Sequence, residues 1–152
     1  MFGYGDKLKD AGAVTSSGYG EVEEAAKVLN LGSGLIRANL IIEVAAMAMQ
    51  DNDESYTLVL MGGDDESFTN TVALASVEIG CKEVTESNLD SKLGRYVVPF
   101  ENEKNGIIFP YVRIRHAISG TTPSINYNCR LEKDLPVRGG ISITSVTTTT
   151  TV

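Results

Sequence analysis

Two acidic stretches, "QDNDES" at 50–55 and "GGDDES" at 62–67, gather carboxylates; one histidine, His116, and two cysteines, Cys81 and Cys129, are the other groups with chemistry to offer. Carboxylates at this density can hold a hard cation. A calcium loop of the EF-hand kind, however, needs glycine at its sixth position and glutamate at its twelfth. Counting from Asp51, those positions hold Tyr56 and Gly62; counting from Asp64, they hold Thr69 and Ala75. Neither stretch fits, so both read as solvent-facing turns that leave strands, and no metal ligand is assigned. One histidine and two distant cysteines are too few for a zinc site of three or four nitrogen and sulfur ligands. His116 reads as a buried, hydrogen-bonded side chain rather than a catalytic base. The cysteines have no CxxC spacing and read as unpaired thiols. No GxSxG is present, and neither a P-loop nor a GxGxxG follows a strand. No catalytic residue and no cofactor are assigned: the expectation is a protein that is not an enzyme and works through its surfaces.

The elements that position these groups repeat with period two. "YTLVLM" puts Tyr56, Leu58 and Leu60 on one face. "YVRIRHAIS" points Val112, Ile114, His116 and Ile118 inward, with Arg113 and Arg115 outward. "SINYNCRLEK" separates Ile125, Tyr127, Cys129 and Leu131 from Asn126, Asn128, Arg130 and Glu132. Such alternation marks half-buried antiparallel strands. "LIRANLIIEVAAMAMQ" is rich in helix formers, yet Ile36, Ala38, Leu40, Ile42 and Val44 alternate with Arg37, Asn39, Ile41 and Glu43, which predicts a long strand. Shorter strands are expected at 28–31, 71–79 and 94–100, and a helical turn or two at "GEVEEAAKV", 20–28. Turn clusters at 32–34, 50–55, 62–67, 101–106 and 119–124 punctuate these runs. The pattern predicts an all-β antiparallel jelly-roll sandwich of about eight strands. Its core would hold Leu40, Ile42, Leu58, Leu60, Val112, Ile114, Ile125 and Leu131.

The chain is one domain by length, 152 residues,. It divides into an N-terminal arm at 1–11, the jelly roll at 12–135 and a threonine-rich C-terminal arm at 136–152. No apolar run is long enough for a membrane helix, and the N-terminus has no secretory core. The net charge is −7, unevenly spread: residues 1–104 hold 18 acids and 8 bases (−10), residues 105–152 hold 2 acids and 5 bases (+3). An acidic chain without a basic stripe does not suit nucleic acid, because phosphate neutralisation supplies most of that affinity. The asymmetry fits faces that meet in an assembly. Candidate interface residues are Phe2 and Tyr4 in the first arm; Ile141, Ile143 and Val146 in the second; and Arg113, Arg115 and Arg130, read by parity as an outward basic strip on neighbouring strands.

Across roughly residues 10 to 134 the chain resembles the jelly-roll capsid cement (decoration) proteins of tailed bacteriophages. The resemblance rests on "DAGAVTSS", on "LNLGSG" leading into the long apolar strand, on "YTLVLMGGDDESFTNTVALASVEI" and "GRYVVPF", and on "PYVRIRHAIS" and "INYNCRLEKD". In that family a strand runs into a short acidic turn and a Ser/Ala-Phe-Ser/Thr segment, here Asp64-Asp65-Glu66 and Ser67-Phe68-Thr69. A later strand, here Tyr111-Val112-Arg113-Ile114, follows. The segment 81–93 and the threonine tail depart from the pattern. The resemblance implies a homotrimer on the outer surface of a virion head, made in the host cytoplasm. Its partner would be the major capsid protein, and it would hold the shell against DNA pressure. The alternative is a carbohydrate-binding jelly-roll module of a phage head, tail or fibre. Exposed aromatic platforms would be needed for that, and the chain has no tryptophan.

Overall fold

The computed structural model describes residues 7–133. The fold is an all-β sandwich of two antiparallel sheets. The long strands are β7 (Arg37–Met47), β8 (Ser55–Gly63), β9 (Thr71–Gly80), β10 (Gly94–Glu101), β13 (Tyr111–Ser119) and β14 (Ile125–Lys133). Shorter ones are β1 (Lys7–Lys9), β2 (Ala13–Val14), β3 (Gly18–Tyr19), β4 (Glu21–Val22), β5 (Ala25–Ala26), β6 (Leu29–Asn30), β11 (Glu103–Lys104) and β12 (Ile107–Ile108); the one helix among the described residues is α1 (Lys82–Thr85). One sheet runs β1-β14-β7-β10, with β2 also on β14; the other runs β3-β13-β8-β9, with β6 also on β13. Two small hairpins, β4–β5 and β11–β12, stand outside them.

Alternation decides what faces what. Leu40, Ile42, Leu58, Leu60, Val112, Ile114, Ile125 and Leu131 are each at most 1% exposed, in one core cluster between the sheets. Full burial of each such side chain contributes about 1.5–3 kcal/mol. Tyr56 is in the same layer, and its hydroxyl is satisfied: it donates to the Ala48 carbonyl (2.7 Å) and accepts from the Ser124 N–H (3.0 Å),. The long segment that could have been helical is β7, at the centre of its sheet between β14 and β10.

Two expectations differ from the structure. Residues 20–28 form the β4–β5 hairpin, not a helical turn. Glu23 and Glu24 both take positive φ, 54° and 67°, as a two-residue hairpin turn of the mirror-image type requires. The Asp10 carboxylate accepts the Glu23 N–H at 2.8 Å, and the Glu21 carbonyl accepts the Asp10 N–H at 2.9 Å. These tertiary bonds outweigh the helix propensity of a short alanine–glutamate run. The sandwich also begins before residue 12: β1 pairs with β14, and Leu8 is fully buried. A three-residue strand is too short for periodicity to reveal.

Candidate interaction face

The structure separates the three arginines that parity had grouped. Arg113 and Arg115 lie on β13 in one sheet; Arg130 lies on β14 in the other. They form no common strip. The chain crosses from one sheet to the other between Ser119 and Ile125, and parity reports inward or outward without saying which sheet is meant. Phe2, Tyr4, Ile141, Ile143 and Val146 lie outside the described residues.

The two outer faces treat their arginines differently. On the β7 sheet, Arg130 contacts Glu132 (2.7 Å) and Glu43 (3.4 Å), Arg95 contacts Glu43 (2.8 Å), and Arg37 contacts Glu101 (2.9 Å). Arg95 and Arg130 together hold the Glu43 carboxyl below its usual range. On the β13 sheet, Arg113 and Arg115 have no carboxylate within ion-pairing distance among the described residues.

Arg113 is held by aromatic rings instead. Its Cζ lies 3.8 Å from the ring centroid of Tyr19, on β3, and 4.1 Å from that of Phe68. Contacts of this kind contribute about 0.5–2 kcal/mol each. Its Nε is buried and has no hydrogen-bond partner. The acidic turn makes this arrangement possible. The Asp65 carboxylate accepts from the N–H groups of Ser67 and Thr69 (3.0 and 3.1 Å) and from the Thr69 hydroxyl (2.8 Å). The Asp64 carboxylate accepts from the Asn70 N–H (3.0 Å) and side-chain amide (2.6 Å), and these bonds lower its pKa. So braced, Phe68 takes φ 54°, uncommon for a bulky residue, and the residue is buried, 6% exposed,. The ring rests on Gly63, where a Cβ would lie 2.5 Å from Phe68 Cδ2. Asp64 and Asp65 therefore shape a turn that seats an aromatic ring beside an arginine.

The groups with acid–base chemistry are built into the interior. His116 is 3% exposed, as its inward parity required, and its Nδ1 meets the Tyr127 hydroxyl at 2.7 Å. Burial, with Lys9 and Arg115 nearby, pushes its pKa down to about 4, so it is neutral at pH 7. Lys9 is buried, and its ammonium donates to the carbonyls of Asp10, Gly12 and Tyr127 at 2.7–2.9 Å. Cys81 and Cys129 are free and buried, and burial raises both thiol pKa values. A recess of about 710 Å³ opens beside His116, bounded by the 10–19 segment and the glutamates of the β4–β5 hairpin.

The acidic stretch at 50–55, which fails the EF-hand pattern, does gather its carboxylates in space. Asp51, Asp53 and Glu54 bring carboxylate oxygens within 4.8 Å of one another, with Glu54 fully buried. These are the described residues whose oxygens would suit a hard cation. Each carboxylate also has protein donors. Asp53 accepts from the Thr121 N–H (3.1 Å) and hydroxyl (2.5 Å), Asp51 from the Thr122 hydroxyl, and Glu54 from the Asp51 N–H (3.2 Å) and the Cys81 thiol (3.6 Å). The threonines arrive from a turn far along the chain, so spacing within 50–55 showed the carboxylates but not the donors that hold them.

No family model matches the chain, and no curated protein does. Among solved structures it is similar to the CBM22-1–GH10 modules of the Clostridium thermocellum xylanase 10B, crystallised with xylohexaose, at 8% identity and a TM-score of 0.37. The alignment covers 86% of this chain and 28% of that one.

Proposed function

We propose that this chain is a capsid cement protein, which binds the outer surface of a tailed-phage head as a homotrimer and stabilises the shell without covalent chemistry. The observation that carries the reading is the meeting of Phe68 and Arg113. They belong to two of the segments on which the resemblance rests, and the Arg113 Cζ lies 4.1 Å from the Phe68 ring centroid although the residues are far apart in sequence. A shared structural task accounts for their occurring together. The interior placement of the histidine and both thiols agrees with a protein whose work is done by contact. So do the large apolar side chains left in solvent at Leu35, Leu89, Leu93, Val97 and Ile107. Each contact would be modest, and trimeric attachment would multiply their effect through avidity. The sugar-binding alternative stands second because Tyr19 is the one exposed aromatic side chain among the described residues, and its ring is engaged with Arg113.

The test is the copy number of this protein in purified particles relative to the major shell protein. Trimers on every threefold and quasi-threefold position give about one copy per shell subunit. A ratio of a few hundredths, or absence from particles, would overturn the reading.

A further inference from the structure

The geometry points to the outer face of the β13 sheet at Tyr19, Arg113 and Arg115 as a docking site for an acidic segment of a partner protein, with a carboxylate taken by the in-plane edge of the Arg113 guanidinium. This deepens the cement reading and rests on it where the partner is a shell subunit. Four observations converge. On a chain of net charge −7, the described arginines of the β7 sheet are ion-paired, whereas neighbouring Arg113 and Arg115 are left without carboxylates. The guanidinium of Arg113 is flanked by two rings, which restrict its orientation before any partner arrives. Its Nε is buried without a partner, so intramolecular hydrogen bonding leaves this cation under-satisfied. Finally, Phe68 is held at positive φ by the Asp64 and Asp65 bonds, a braced conformation whose ring lies against Arg113.

A flanked guanidinium favours one class of partner. The rings of Tyr19 and Phe68 contact the cation through their faces, and the N–H groups of a guanidinium match the paired oxygens of a carboxylate. Preorganisation lowers the side-chain entropy lost on binding. Arg115, two residues along the same face, adds a second positive charge for an acidic stretch. Lysine at 113 keeps the charge and loses the fork of N–H donors.

The test titrates hexaglutamate peptide into the full chain at low ionic strength, following the arginine Nε–H resonances by NMR. Burial shields the Arg113 Nε–H from solvent exchange, so its signal is a suitable reporter. The expected result is a saturable shift of Arg113 and Arg115, with the Arg37 and Arg95 signals unmoved, that disappears at high salt. An Arg113→Lys chain, checked for an unchanged fold by near-ultraviolet circular dichroism, is expected to bind about tenfold more weakly. No Arg113 shift at millimolar peptide, or equal binding by Arg113→Lys, overturns the site. A parallel arm adds both proteins to expanded shells lacking this chain. Shell binding by wild type and Arg113→Lys alike overturns the site while the cement reading stands. A peptide response with no wild-type shell binding upholds the site and overturns the cement reading.

Discussion

Replacing Gly63 by alanine should dislodge the Phe68 ring, and the cost can be worked from distances. A Cβ at 63 would lie 2.5, 2.7 and 2.8 Å from Phe68 Cδ2, Cγ and Cε2. Carbon atoms in contact prefer about 3.5–4.0 Å, so the ring must retreat by about 1 Å. It has little room to do so: its backbone is tied to the acidic turn, and its ring lies against the Arg113 guanidinium. Gly63 is not among the positive-φ glycines, so alanine itself suffers no backbone strain and gains about 0.4–1 kcal/mol through the unfolded chain,. Against that stand overpacking, at about 1–3 kcal/mol, and a weakened cation–π contact, at about 0.5–2 kcal/mol. The net expectation is a loss of about 1–4 kcal/mol. With a urea slope of about 2 kcal/mol per molar, the midpoint falls by about 0.5–2 M. Phe68→Ala should itself cost about 3–4 kcal/mol, but adding Gly63→Ala to it should cost little, because the obstacle is gone. A double-mutant cycle reads that coupling. Strictly additive effects, or a Gly63→Ala midpoint within error of wild type, would refute the seat.

His116 predicts how stability depends on acid. Its folded pKa, about 4, lies below the ordinary value of 6.5, so between these pH values the unfolded chain binds the extra proton. Stability is therefore complete above about pH 6.5 and falls as pH drops through 4, by up to about 3 kcal/mol from this group. Urea midpoints at pH 7 and 4.5 should differ, and His116→Gln should flatten the difference; an unchanged slope would show that His116 is not the group responsible. The thiols give a simpler readout. With both cysteines buried, a small aromatic disulfide reagent should find neither in the native protein and both in urea,; rapid native reaction would contradict their placement.

How much of this was legible in the sequence depended on what each signal encodes. Period-two alternation reports sidedness, and it placed the eight core residues and His116 correctly because one face of each strand is buried. It placed Arg113 and Arg130 outward for the same reason, but it grouped them wrongly. Outward has two meanings in a sandwich, and the crossing at 119–125 exchanges one for the other. At 20–28, composition favoured helix, while the outcome was set by Asp10, a residue outside the window that bonds to the turn. The carboxylates of Asp51, Asp53 and Glu54 were in view at 50–55, but their partners Thr121 and Thr122 were hidden in the same way, since they come from across the chain.

The acidic turn at 64–66 marks the limit most clearly. Its composition suggested either a cation or a plain exit from a strand, and the structure shows a further option, in which the carboxylates bond backbone and side-chain donors within their own turn. Those bonds fix Phe68, Phe68 needs the bare backbone of Gly63, and the seated ring borders Arg113 on the next strand of the sheet. Each step depends on the one before it, so a change at Gly63 should be felt at Arg113 without touching it. Sequence alone sets Asp65 and Phe68 in one segment and Arg113 in another, with no link between them or to Gly63; their dependence appears only once β8 and β13 are paired.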